Sequence, residues 1–356
     1  MNYSLNSIAD QLSTQTNGVT FSLILAATLV GLVSFVSIVG MILIYTERKI
    51  AAHFQCRLGP MRVGWHGMLQ SVADGIKLFL KEDIVPDGAD PFVHLLAPFF
   101  AIMAMFLTLI IIPMAPNLQV INLNIGVVYI SAVSGLGVLG ILLAGWGSNN
   151  KWSLLGAMRA GAQIVSYEVS ATLAILVSVM FAGSLKLTDI VLSQADGWWI
   201  WRAPVVGLLG FILLLIAITA ETNRTPFDLA EGESELTAGF HTEYSGIRFA
   251  LFFLAEFVNM FIMSGLLATL FLGGWMPFHI GDWNSFNQVM DLIPPAVWFF
   301  GKVTFIIFLL MWFRWTLPRL RVDQLMKLEW KFLLPVGLLN MSLAAILVVG
   351  GWYFFI

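Results

Sequence analysis

Only one cysteine, Cys56, occurs in the 356 residues. A lone thiol excludes a disulfide framework, and it excludes an iron–sulfur cluster held by this chain alone. Histidine is almost as sparse. His53, His66, His94, His241 and His279 fall in connections or at the ends of apolar runs, and no two form the mid-membrane pair that ligates haem. Neither a Walker loop nor a dinucleotide fingerprint is present, so no nucleotide site is legible. Charge is scarce at 11% of residues, and residues 1–19 contain no Lys or Arg. A secretory signal carries its positive charge ahead of the apolar run, so the first run reads as a retained helix.

What is there is apolar. Hydrophobic residues make up 59% of the chain, and mean hydropathy is +0.87. No water-soluble core of this size needs so much apolar surface. Eight stretches are long enough to cross hydrocarbon: 20–45, 93–114, 125–146, 160–181, 204–220, 249–272, 296–313 and 332–355, the fifth being the shortest. They lack the alternation of barrel strands, so the fold is expected to be an all-α polytopic membrane protein. With no linker and no internal repeat, residues 1–356 read as one membrane domain. If the segment after the first helix is cytoplasmic, every Lys and Arg except Lys186, Arg202 and Lys302 lies on that side. That bias places both termini outside.

Residues 67–83 form an amphipathic helix along the interface, with Met68, Val72, Ile76, Phe79 and Leu80 on one face and Gln70, Asp74, Lys77 and Lys81 on the other. Its polar stripe is either solvated or lines a cavity beneath a partner. The connection holding Arg314, Arg319, Arg321, Lys327 and Lys331 is net basic, which topology signalling or charged-lipid contact explains; no chemistry is assigned to it. Lys302 sits about two turns from its helix end, near enough for its stem to snorkel outward.

Two acids lie well inside apolar runs, Glu168 in the fourth and Glu256 in the sixth. An ionised acid at mid-bilayer costs roughly 2.5–3.5 kcal/mol on insertion scales, so such residues are functional by default. Gly161, Ala171 and Thr172 share a side with Glu168, and Arg248, Phe252, Asn259 and Met263 share one with Glu256, so both acids are expected to face the bundle interior. The alternative is a protonated Glu gluing two helices. The connection 221–246, ETNRTPFDLAEGESELTAGFHTEYSG, is the other departure from a greasy chain. From Glu221 to Glu243 it holds six carboxylates and one basic residue, Arg224, for a formal charge of −5 with His241 neutral. Crowded carboxylates titrate as a coupled set. Pro226 breaks the fifth helix there, and Thr222 and Asn223 are placed to cap its end. A loop that merely aids solubility is the plain alternative.

Several motifs carry a resemblance: Thr46-Glu47-Arg48-Lys49, Arg57-Leu58-Gly59-Pro60, Ala73-Asp74-Gly75-Ile76-Lys77, Lys81-Glu82-Asp83, Ile164-Val165-Ser166-Tyr167-Glu168 and, most specifically, Glu221-Thr222-Asn223-Arg224-Thr225-Pro226-Phe227-Asp228. After residue 20 the whole chain resembles the H-subunit family of bacterial respiratory complex I (NADH–quinone oxidoreductase), whose mitochondrial counterpart is subunit 1. The resemblance implies a proton-pumping translocase in the bacterial inner membrane. Its substrate is a quinone, ubiquinone or menaquinone, while FMN and iron–sulfur clusters sit on partner subunits only. Implied partners are peripheral-arm subunits carrying the terminal iron–sulfur cluster, adjacent small membrane subunits, antiporter-like subunits and lipid, with no nucleic acid.

Carried over by position, Asp74, Glu168, Glu221, Glu256, Glu231, Glu233 and Glu235 belong to a proton path. Glu47, Arg48, Arg57, Asp74, Arg224 and Phe253 belong to a quinone chamber. No catalytic residue and no metal ligand is assigned to this chain. One departure stands out: residues 125–146 contain no Asp or Glu where the family can carry one, so water or a neighbouring protein's side chain must serve that step. Two other classes compete. A membrane-bound hydrogenase uses a homologous subunit, and a stand-alone cation or proton antiporter also needs intramembrane acids, though the inverted repeats common in such transporters are absent.

Overall fold

The computed structural model describes residues 7–13, 18–230, 232, 237–279 and 283–351. Among them, seven helical spans are long and apolar enough to cross a membrane. They include α1 (Gly18–Phe54), which is followed by the surface helix α2 (Gln70–Leu80), then α3 (Pro91–Leu109), α4 (Gly126–Gly147) and α5 (Lys151–Ala182). An eighth apolar helix, α6 (Val206–Glu221), has 16 residues, about 24 Å and short of the ~30 Å hydrocarbon layer. The remaining spans are α7 (Gly246–Phe271), α8 (Pro295–Thr316), and a run from α9 (Val322–Leu328) through a π-helical turn (Glu329–Leu333) into α10 (Leu334–Gly350).

The helices form where they do because a buried backbone must satisfy itself, and their ends are marked by capping chemistry. Asp90 accepts from the Phe92 and Val93 amides at 3.0 and 3.3 Å, with Pro91 opening α3. Asn150 caps α5 through the Trp152 amide, and Gly183, at φ 66°, turns the chain out of it. The 37 residues of α1 extend about 55 Å, so the helix overhangs the hydrocarbon and carries Glu47 and Arg48 on the overhang.

Helix α7 is the most enclosed, with Phe257, Met260, Ile262 and Leu267 buried in the main core. It packs on α1, α3, α6 and α8, while α5 packs on α4, α6 and α10. The connection between α6 and α7 lies close against α5. A Cβ on Gly156 would sit 2.8 Å from the Gly239 Cα, so the contact requires glycine there. Helix α2 turns its apolar residues away from the protein, with Ile76, Phe79 and Leu80 exposed, and its Asp74 inward.

Lys302 corrects the sequence expectation. Its side chain does not reach outward; it is buried, and Nζ donates to the Leu272, Gly274 and Met276 carbonyls at 2.6, 2.9 and 2.6 Å. The turn that follows α7 leaves carbonyls without helical partners, and the Lys302 side chain satisfies three of them at once.

Candidate functional site

The site begins where α6 ends. Thr222 Oγ1 donates back to the Ile218 carbonyl at 2.9 Å, and Asn223 takes a left-handed conformation at φ 49°. Gln163 of α5 fixes that turn, its Nε2 donating to the Ala220 carbonyl at 2.7 Å and to Asn223 Oδ1 at 3.2 Å. The chain then reverses and directs Arg224 into the bundle, where it is 3% exposed. Beyond it, the Leu320 amide donates to the Pro226 carbonyl at 3.0 Å, and Arg319 pairs with Asp228 at 2.7 Å. The connection between α8 and α9 therefore clamps the loop from the far side.

Arg224 is the hinge of the arrangement. One guanidinium nitrogen lies 3.2 Å from Glu47 Oε2 on α1, and the other lies 3.4 Å from Glu256 Oε1 on α7. Arg314, near the end of α8, also bonds Glu47. The Arg224 guanidinium rests 4.4 Å above the Phe257 ring. Among the described residues, two carboxylates thus meet two guanidiniums in a largely buried place. Only a planar fork can face two carboxylates from separate nitrogens while stacking on an aromatic face.

Two neighbouring cavities are lined by the acids. The larger, about 100 Å³, lies among α3, α4, α5, α6 and α7, and is lined by Glu256, Asn259, Glu221, His241, Thr108 and Ser134. The smaller, about 20 Å³, is lined by Glu221, Ser134 and Glu168. Volumes of this size admit a few waters and about one water respectively. Glu221, Ser134 and Met263 border both cavities, so Glu256, Glu221 and Glu168 line two adjoining cavities. Ser134 Oγ donates to Glu168 Oε1 at 2.9 Å. The helix that lacks a carboxylate thus places a hydroxyl beside Glu168. His241, in the connection outside the membrane spans, is packed among Phe240, Phe249 and Phe252. Burial pushes its pKa down to about 3, so its ring is neutral at pH 7.

The other expected residues separate into groups. Asp74 bonds Arg48, accepts from Gln70 at 3.2 Å and lies 3.9 Å from Lys77, forming a second polar cluster between α1 and α2. Phe253 stands between Phe249 and Phe257 in an aromatic ladder, with centroids 5.8 and 4.9 Å apart. Arg57 is not brought in: it is exposed after α1 and bonds Gln55. Arg248 pairs with Asp83 at 2.8 Å, whereas Phe252, Asn259 and Met263 line the larger cavity with Glu256. Glu231, Glu233 and Glu235 lie outside the described residues. Arg314 and Arg319, to which the sequence assigned no chemistry, both hold acids of the site; Gln163, Ser134 and His241 were likewise missed. Among the described residues, no group of His, Cys, Asp and Glu could hold a metal ion.

A family model described as NADH dehydrogenase matches residues 27–345. The chain belongs to the NADH dehydrogenase family. Its similarity to curated members is high and spans nearly their whole length. The H subunit of the NADH-quinone oxidoreductase of Bacteroides fragilis is 52% identical over 323 residues, covering 91% of this chain and 90% of that one. The same protein of Geobacillus kaustophilus is 48% identical, covering 87% and 89%. A counterpart in Geobacter metallireducens is 46% identical, covering 85% and 89%. The NADH dehydrogenase family match includes every residue of the Arg224 cluster and of the two cavities.

Proposed function

We propose that this chain is the membrane subunit of a proton-pumping NADH–quinone oxidoreductase, forming the membrane part of the quinone chamber and the start of a proton path. The observation that carries the proposal is the single guanidinium of Arg224, which lies 3.2 Å from Glu47 and 3.4 Å from Glu256. Glu47 and Arg224, with Arg48, Asp74 and Phe253, are assigned to the chamber, whereas Arg57, exposed after α1, stands apart from it. Glu256, Glu221 and Glu168 are assigned to the path, which Glu231, Glu233 and Glu235 join from the loop. Ubiquinone or menaquinone is the substrate, and partner subunits bearing FMN and iron–sulfur clusters supply the electrons. The acidic connection faces the cytoplasm beneath the peripheral arm, both termini face the periplasm, and α2 lies along the inner-membrane surface. Small membrane subunits and antiporter-like subunits continue the assembly sideways, and residues 1–356 act as one membrane domain.

Reduction of a quinone to a quinol takes two electrons and two protons. Negative charge arriving beside Glu47 competes for Arg224 and Arg314, and weakens the hold of Arg224 on Glu256. A buried carboxylate that loses its cation must be neutralised, and the cavity shared with Glu221 supplies the proton. The charge change in the chamber thereby becomes a proton displacement between Glu256, Glu221 and Glu168.

Glu256→Gln tests the proposal in the intact complex, because it keeps the side-chain shape and removes the titrating group. Both quinone reduction and proton translocation should fall, while reduction of a soluble acceptor by the peripheral arm continues. Full turnover with a full proton-to-electron ratio would overturn the assignment.

A further inference from the structure

Gln163 of α5 is 1% exposed, and the route from chamber to proton path makes no use of it. Its Nε2 faces two oxygens, the Ala220 carbonyl at 2.7 Å and Asn223 Oδ1 at 3.2 Å. A peptide carbonyl can only accept, so the Gln163 atom beside it is the amide nitrogen. The Asn223 atom beside that nitrogen is then the oxygen. One carbonyl thereby sets the orientation of both amides, and Nδ2 occupies the free arm of Asn223. Among the described residues, no protein group accepts a hydrogen bond from that nitrogen. Asn223 lines the larger cavity together with Glu221, Glu256 and Asn259.

We propose that Asn223 is a positioning residue of the proton path: Gln163 turns its amide N–H groups into the larger cavity, where they orient the water through which Glu221 passes a proton to Glu256. The inference rests on the reading of Glu221 and Glu256 as members of that path.

Three observations support it. First, Asn223 lies at φ 49°, a conformation that glycine adopts as readily as asparagine. The turn by itself does not call for an amide. Second, Gln163 Oε1 is buried without a hydrogen-bond partner among the described residues. Such an acceptor is costly to leave unmet, so the side chain is not placed for its own satisfaction. What it achieves is to commit both hydrogens of Nε2, one to the Ala220 carbonyl and one to Asn223. Third, Thr222 also lines the cavity, but its hydroxyl donates back to the Ile218 carbonyl at 2.9 Å. In the turn that follows Glu221, Asn223 is therefore the side chain with a donor to spare.

A water has two lone pairs and two hydrogens, and the cavity of about 100 Å³ has room for one here. The Asn223 N–H takes one lone pair. The second lone pair then accepts from the Glu221 carboxyl, and an O–H faces the Glu256 carboxylate. Transfer breaks the Glu221 O–H bond and one water O–H bond. It forms one new O–H bond on the water and one on Glu256, and the amide is unchanged. Without the amide the same water is free to turn, and the relay loses its direction.

The purified complex reconstituted into liposomes tests this. Asn223→Gly keeps the left-handed turn and deletes the amide. Its kcat for quinone reduction and its rate of proton translocation should both fall about fivefold, the rate equivalent of one ordinary hydrogen bond. KM for the quinone should stay unchanged, because Glu47 and Arg224 are untouched. Gln163→Met keeps the side-chain length and releases Asn223; it should lower kcat similarly, and the double variant should be no slower than the slower single one. Reduction of a soluble acceptor by the peripheral arm reports assembly. An unchanged kcat in Asn223→Gly, a raised KM as its only defect, or losses that multiply in the double variant would each overturn the proposal. Glu256→Gln, measured in parallel, separates this inference from the path reading. Full turnover and pumping in Glu256→Gln would remove both, whereas a defect there beside an unimpaired Asn223→Gly removes only the role of Asn223.

Discussion

Arg224→Lys separates charge from geometry at the centre of the site. Lysine keeps the positive charge but offers one ammonium on a flexible stem, so it cannot hold Glu47 and Glu256 from two nitrogens as arginine does at 3.2 and 3.4 Å. Each contact corresponds to about 5 kcal/mol of Coulomb attraction at an effective dielectric near 20, before desolvation is counted. Removing one partner from a buried pair costs about 3–5 kcal/mol. A lysine that shifts toward one acid leaves the other partly compensated, so a loss of about 2–3 kcal/mol is a fair expectation, equivalent to roughly 30- to 160-fold. That loss falls on communication between chamber and path. In purified complex reconstituted into liposomes, quinone reduction should drop, and protons moved per electron should drop further. Arg314→Lys is the control: Arg314 meets only Glu47 among the acids of the cluster, where a point charge can substitute, and its effect should stay under about tenfold. Reduction of a soluble acceptor reports on assembly. If Arg224→Lys retains both turnover and the proton-to-electron ratio, the bridging role of Arg224 is refuted.

Three further outcomes follow from individual contacts. Ser134→Ala removes the hydroxyl that lies 2.9 Å from Glu168 Oε1, a loss of about 1 kcal/mol for a typical hydrogen bond; proton translocation by the reconstituted complex should slow severalfold, and Ser134→Thr should restore it. His241 is neutral in the fold, its pKa pushed down to about 3 by burial, against about 6.5 when unfolded. Its contribution is complete above pH 6.5, and is lost at up to about 1.4 kcal/mol per pH unit as pH falls from there toward 3, because the unfolded chain binds the extra proton. Thermal unfolding followed against pH should show His241→Gln flattening that acid limb. Lys302→Met strands the carbonyls of Leu272, Gly274 and Met276, each net about 1 kcal/mol. The complex should inactivate at lower temperature with its proton-to-electron ratio intact, and a changed ratio would show that Lys302 does more than hold α7.

The long apolar runs were legible because the requirement that makes them is local: a segment in hydrocarbon satisfies its own backbone, and sequence shows this directly. The inward direction of Glu168 and Glu256 was legible for a related reason, since helical periodicity places small or polar neighbours on one side. Partnership across the bundle was not. The single hydroxyl proton of Ser134 is shared between Glu168 and the Ser131 carbonyl of its own helix, 2.8 Å away, so nothing in its local sequence distinguishes it from any serine folded back on a helix. Lys302 misled because nearness to an interface suggests an outward stem, whereas the turn that follows α7 presented three carbonyls that a sequence does not reveal.

The basic connection after α8 is the more instructive case. Its positive charge was fully accounted for by topology, and that account left no reason to look further. Yet Arg314 reaches Glu47, 267 residues away, and Arg319 reaches Asp228, 91 residues away. Both acids, Glu47 and Asp228, are buried, and a buried carboxylate is costly unless a cation reaches it from elsewhere in the fold. The positive-inside bias places those cations at the same end of the bundle as the acids. Cations that topology alone seemed to explain therefore also compensate buried acids, and the first explanation masks the second when only the sequence is read.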